Sequence, residues 1–200
     1  MKRKIKRPKG PALSLLVAGS LLMGFLPVAQ ASGVVVGSGP STHYTVHTEM
    51  IPGSCSYRWF GGEPLPDSSC TPGATNPAVT QSNLYSTICK KGYTSSIRPP
   101  VSVTYVEKRL SAKAYGNSAS LRDQEYDHLI SLELGGSPND TRNLWVEPQA
   151  QGVVKSSVSN DKDQIENELN ALVCQHKVTL KAAQIAIASN WVTALAKVKG

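Results

Sequence analysis

Between Tyr126 and Glu147 the chain reads YDHLISLELGGSPNDTRNLWVE, and this stretch sets what the rest can fold around. Tyr126 to Leu134 is a short apolar run rich in strand formers, Gly135 to Asp140 is made of turn residues, and Leu144 to Val146 is a second short strand. Together they predict a β-hairpin with a long loop. Side chains alternate along a strand, so adjacent Asp127 and His128 point to opposite faces and serve different tasks. One suits holding a cation, the other accepting a proton. The Gly135-Gly136 pair permits positive φ in the loop.

The order Asp127-His128-x-Ile130, then Leu132-Glu133-Leu134-Gly135-Gly136, then Asn143-Leu144-Trp145 resembles the His-Asn-His (HNH) nucleases, secreted bacterial branch. The likeness extends from about Thr71 to Trp191, with TPGATNPAVTQ before the motif and KDQIENELNALVC after it. It implies an α+β fold: a ββα-metal core with additional helices and a loop-rich, disulfide-braced N-terminal region. Ser131 stands where a proline is usual, and the third family position, often histidine, is here Asn160 followed by Lys162 two residues later.

The first 31 residues read as an address. Lys2, Arg3, Lys4, Lys6, Arg7 and Lys9 form a basic start, Ala12 to Val28 is apolar, and Ala29-Gln30-Ala31 is a small-x-small cleavage site, so export and cleavage before Ser32 are expected. Removing those six cations from the 21 Lys and Arg leaves 15 against 14 Asp and Glu. A mature charge of about +1 gives no global pull on a polyanion, so nucleic-acid binding has to come from local clusters. Arg98, Lys108, Arg109, Lys113, Arg122, Arg142, Lys155 and Lys162 surround the motif, with Arg109, Arg142 and Lys162 the leading phosphate contacts and Asp140 or Glu147 as competing partners for Arg142.

The four cysteines include no close Cys-x-x-Cys pair, which disfavours a zinc ribbon and favours two disulfides in an oxidising compartment. Of three pairings, Cys55 with Cys70 and Cys89 with Cys174 is the expected one, one local and one long. Ser32 to Ser41 reads as a flexible leader and 32–70 as loop-rich, with a strand-like run over Tyr44 to Ile51 that puts His43, His47 and Glu49 on one face. Residues 71–200 form the expected nuclease-like domain. Helices are expected over Tyr105 to Tyr115, burying Val106, Leu110 and Ala114; from Asn160 or Asp161 to about Gln175, burying Ile165, Leu169, Leu172 and Val173; and from a Thr179 cap, burying Ala183, Ile187, Trp191 and Leu195.

The resemblance assigns roles. His128 is the general base on water, because a neutral imidazole accepts a proton at physiological pH. Asp127 is a metal ligand, with Asn160 the second and Asp161 or Asp163 its substitutes; such oxygen ligands suit one divalent ion, Mg²⁺ or Mn²⁺ ahead of Zn²⁺. Asn143 braces the loop and the His128 ring, or simply caps the turn. The implied activity is an exported, metal-dependent endonuclease hydrolysing phosphodiester bonds of DNA, or of RNA. The implied partner is the nucleic acid, with no stable membrane association after the leader is removed; the sequence names no inhibitor protein. The alternative is a catalytically inactive extracytoplasmic binding or structural protein that keeps the scaffold.

Overall fold

A computed structural model describes residues 34–153 and 161–200. The expected export signal, residues 1–31, and Lys155 and Asn160 lie outside the described residues. In chain order the elements are β1 (Val35–Val36), β2 (Arg58–Phe60), β3 (Glu63–Leu65), β4 (Ala74–Thr75), α1 (Tyr93–Ile97), α2 (Val101–Ala114), β5 (Glu125–His128), β6 (Leu144–Glu147), α3 (Asp161–Cys174), α4 (Leu180–Ser189) and α5 (Ala194–Lys199). The result is a mixed α+β fold with small two-stranded sheets: β1 with β4 in parallel, β2 with β3 and β5 with β6 antiparallel.

The hairpin forms where the sequence places it, with a shorter first strand. His128 opposite Leu144 is the last paired position; after it Leu132–Leu134 is a 3₁₀ turn. The apolar run continues beyond the strand because its residues are core, not because they are ladder. Leu129 packs with Ala112, Tyr115, Trp145 and Val146 on the α2 side. Ile130 packs into the larger cluster with Leu134, Leu169, Val173, Ile187 and Trp191 on the side of α3 and α4. The hairpin is thereby clamped between two apolar clusters, and alternation of Leu129 and Ile130 feeds both.

Helix α2 begins earlier than expected, at Val101 directly after Pro99-Pro100, and of the expected stripe Ala114 is buried, Leu110 half-buried and Val106 exposed. Its inward residues are Val103, Glu107, Ser111, Ala112 and Ala114, whereas Val106 is exposed. Two of those inward residues serve main chain elsewhere: Ser111 Oγ accepts from Val146 N at 2.9 Å, and Glu107 Oε1 accepts from His47 N at 2.9 Å. Polar residues win the buried face because buried backbone donors need acceptors. Helix α4 carries the expected cap, Thr179 Oγ1 accepting from Ala182 N.

The N-terminal segment is tied down rather than loose. Val35 N donates to Gly73 O at 3.0 Å and Gly37 N to Thr75 O at 2.8 Å, adding β1 to the edge of β4. Gly37 is required by closeness, since a Cβ there would lie 2.7 Å from Ser137 Cβ. Tyr44 to Ile51 forms no strand; side chains hold it, with Tyr44 Oη donating to Ile97 O and Asn139 Nδ2 to Thr45 O. His43, His47 and Glu49 do not gather into a ligand set. His43 Nδ1 lies against Thr42 Oγ1, and His47 Nδ1 is 3.6 Å from Glu49 Oε1.

Both expected disulfides are present, Cys55–Cys70 and Cys89–Cys174, and no free cysteine remains. Two structural disulfides suit an oxidising, extracytoplasmic setting. Among the described residues, no helix is long and apolar enough to cross a membrane. The described residues cluster as one unit, and the loop-rich region shares a core with the hairpin, as Tyr57 Oη donating to Val146 O at 2.9 Å illustrates.

The Cys89–Cys174 bridge spans 85 residues and fastens the segment before the hairpin to the end of α3. Chain entropy gives such a loop about 4 to 5 kcal/mol, against about 3 kcal/mol for the local bridge. Denaturant titration of Cys89→Ala/Cys174→Ala is expected to show the larger loss of the two disulfide deletions.

Candidate functional site

His128 closes β5, and its position is set by the loop that returns to β6. The imidazole is buried, with Nε2 3.0 Å from Pro138 O. A carbonyl only accepts, so Nε2 carries the proton and Nδ1 is the acceptor of the neutral ring. Burial holds the ring neutral, pulling its pKa down to about 4 against the opposing pull of the Pro138 hydrogen bond and Asp127.

The loop that carries the Pro138 carbonyl is in turn held at Ser137 by Asn143. Its fully buried amide makes four hydrogen bonds. Oδ1 accepts from Ile130 N at 3.0 Å and Ala74 N at 3.3 Å, while Nδ2 donates to Ile130 O at 3.0 Å and Ser137 O at 3.1 Å. The amide stands in for a strand partner beyond the last ladder pair. Asn143 therefore braces the loop, as expected, and reaches the histidine through Ser137 and Pro138 rather than by touching the ring. Gly136 is the other fixed point: a Cβ on it would fall 1.7 Å from Ile130 O, so no side chain fits. Gly135 has φ +70°, the left-handed conformation a glycine takes freely.

On the other face of β5, Asp127 meets α3. Lys162, 1% exposed, extends its ammonium to Asp127 Oδ2 at 2.5 Å, His128 O at 2.9 Å and Glu166 Oε1. All three N–H donors of the ammonium are consumed. Burial alone would lower the Lys162 pKa; Asp127, Glu166 and Glu147 together outweigh it and raise it. Two carboxyl groups touch the cation and the buried Glu147 acts on it electrostatically; burial pushes Glu166 up to about 8 and Glu147 well above the carboxylate range. Glu125, half-buried beside Asp127 and Asp163, is pushed up to about 7 by burial first.

These contacts bear on the expected roles. Lys162 is buried inside the fold, so it does not present a cation to a nucleic acid; three oxygen acceptors draw it inward. Arg142 is half-exposed and grips Asp140 with two hydrogen bonds, Nε to Oδ1 at 2.9 Å and Nη2 to Oδ2 at 2.7 Å. That is the competing partner named from sequence. Arg109 is exposed on α2. Lys108 is turned to Leu121 O and Gln124 O. Asn160, the expected second ligand, lies outside the described residues, Asp161 is exposed and Asp163 half-buried.

The described residues do not fit a metal cage at Asp127. Its Oδ2 and Glu166 Oε1 are both taken by the ammonium, and no three His, Cys, Asp or Glu side chains among the described residues converge as ligands. Glu166 and the Pro138 carbonyl carried no signal of their role in the sequence, and Glu147, expected as a rim partner of Arg142, is instead buried. Alternation puts Glu125 and Asp127 on one face opposite Glu147 and Trp145, so the acidic face was legible from the pairing. The i, i+4 spacing of Lys162 and Glu166 was a second sign. No protein-family model, no curated protein and no solved structure matches this chain.

Two outcomes follow from the geometry. Asn143→Ala strands two buried N–H and two C=O groups, a loss of about 3 kcal/mol or more, and Asn143→Asp is expected to do as badly because a carboxylate cannot donate to Ile130 O and Ser137 O. Thermal melts of the two variants check this. The His128 pKa is depressed in the folded chain, so the unfolded chain takes up the proton first: the stability this group gives is present above about pH 6.5 and lost as pH falls to about 4. The loss is on the order of 3 kcal/mol. Glu125 and Glu166 act with the opposite sign, giving stability below their unfolded pKa that is lost as pH rises through about 7 and about 8. They are common to wild type and His128→Gln, so the difference between the two proteins across pH 4 to 6.5 isolates the histidine.

Proposed function

We propose that the chain is an exported phosphodiester hydrolase of the HNH kind, an endonuclease on DNA, with His128 as general base. The observation that carries the reading is the ring's arrangement. Nε2–H is anchored on Pro138 O, the ring is neutral at physiological pH, and Nδ1 is its proton acceptor.

In this reading water gives its proton to Nδ1 as its oxygen forms a new bond to phosphorus. The bond to the leaving sugar oxygen breaks with its electron pair, and that oxygen takes a proton from solvent. Negative charge grows on the phosphoryl oxygens and needs a cation beside it. Arg98, exposed at the end of α1, acts electrostatically on both His128 and Glu125 and supplies such a charge. Arg109 is a further exposed guanidinium for the backbone of the substrate. The disulfides agree with export of such an enzyme.

A second reading, an inactive extracytoplasmic scaffold, is favoured by one observation, the capture of Asp127 by Lys162. Plasmid nicking by the oxidised 32–200 protein decides between them. His128→Gln, shown folded by circular dichroism, is expected to lose about 100-fold or more of the activity, and Arg98→Gln roughly 10-fold. Equal nicking by wild type and His128→Gln removes His128 as the base. Folded wild type that cleaves neither duplex nor single-stranded DNA nor RNA leaves the scaffold reading.

A further inference from the structure

The buried stripe of α3 changes character along its length. Leu169 and Val173 are apolar and belong to the core, but one and two turns earlier the same stripe presents Glu166 and Lys162. The ammonium ends where three oxygens converge: a carboxylate from β5, a carboxyl from α3 and the main-chain carbonyl of His128. Two carboxyl groups and a backbone carbonyl around one point are the donor set of a hard cation. Lys162 fills that point with a covalently attached charge.

We infer that Lys162 takes the place of a divalent ion at Asp127, so that the hairpin and α3 are joined by a resident ammonium and the site needs no metal there. This rests on the hydrolytic reading for its catalytic meaning, but the cation claim stands on the contacts alone. Lys162 is a positioning residue. Its three hydrogen bonds are spent on the fold, none is left for a phosphate, and its bond to His128 O fixes the strand end that carries the base. The phosphoryl charge is then met by exposed guanidinium groups.

The geometry makes a converse statement. Shortening Lys162 vacates a pocket bounded by Asp127 Oδ2, Glu166 Oε1 and the His128 carbonyl. That pocket has oxygen ligands and, without the ammonium, the uncompensated charge of Asp127; a cation that binds there displaces the protons of the neighbouring carboxyls, which suits Mn²⁺.

The experiment is a Mn²⁺ titration followed by thermal melting and by electron paramagnetic resonance of free Mn²⁺. Wild type, Asp127→Asn and Lys162→Ala are compared, with plasmid nicking in EDTA alongside. The expected results are no Asp127-dependent Mn²⁺ binding in wild type and a low melting point in Lys162→Ala. Millimolar Mn²⁺ raises that low melting point by roughly 5 to 10 °C at a hundredfold excess over Kd. Wild-type binding of Mn²⁺ that Asp127→Asn abolishes overturns the inference, as does nicking that EDTA stops and Mn²⁺ restores. If Lys162→Ala stays unfolded in all conditions, the wild-type and Asp127→Asn titrations still decide. If nothing is cleaved under any condition, the hydrolytic reading falls while the Mn²⁺ titration continues to test the resident cation.

Discussion

The amide of Asn143 is the contact on which the rest depends. Beyond the last ladder pair the backbone of 129–137 leaves the sheet, and its polar groups would be buried without partners. One side chain with two donors and two acceptor positions satisfies Ile130 on both sides, ties in Ala74 from β4 and holds Ser137. The loop can then be compact, with Gly136 pressed on Ile130 O and Pro138 O turned to His128. A local hydrogen-bond deficit thus sets the orientation of the ring.

A second constraint is electrostatic. Placing an ammonium at 1% exposure costs several kcal/mol of hydration, and only a tight set of acceptors offsets this. The fold supplies more acid than the cation needs, and the surplus is absorbed by protons on Glu147 and Glu166. Asp127 and His128, neighbours in sequence, end in different surroundings. One is held by the cation of α3; the other rests on a loop carbonyl and is kept neutral by burial.

What was legible in the sequence is what local chemistry decides. The hairpin, Leu169 and Val173 on α3, Ala183 and Ile187 on α4 and the Thr179 cap follow from turn residues, 3.6-residue spacing and hydroxyl capping, and the preferred disulfide pairing is the one present; the helix expected to run on to Leu195 ends at Ser189, where Asn190 caps a new turn at Trp191. The first strand was read too long because buried loop residues and strand residues share the same apolar signature. The leader over 34–40 looked loose because its glycines and serines signal flexibility; nothing local shows that Gly37 is there to approach Ser137. Lys162 looked like a surface cation for the same reason. Its partners come from a strand 35 residues away, and lysine is seldom buried unless paired.

The two disulfides also impose an order in time. In a chain delivered N-terminus first to an oxidising space, Cys55 and Cys70 emerge early and close over 15 residues, leaving Cys89 without a competing mate. Its partner arrives only after α3 has come through, 85 residues later. Closed in that order, the first bridge would withdraw the wrong thiols before the right one appears.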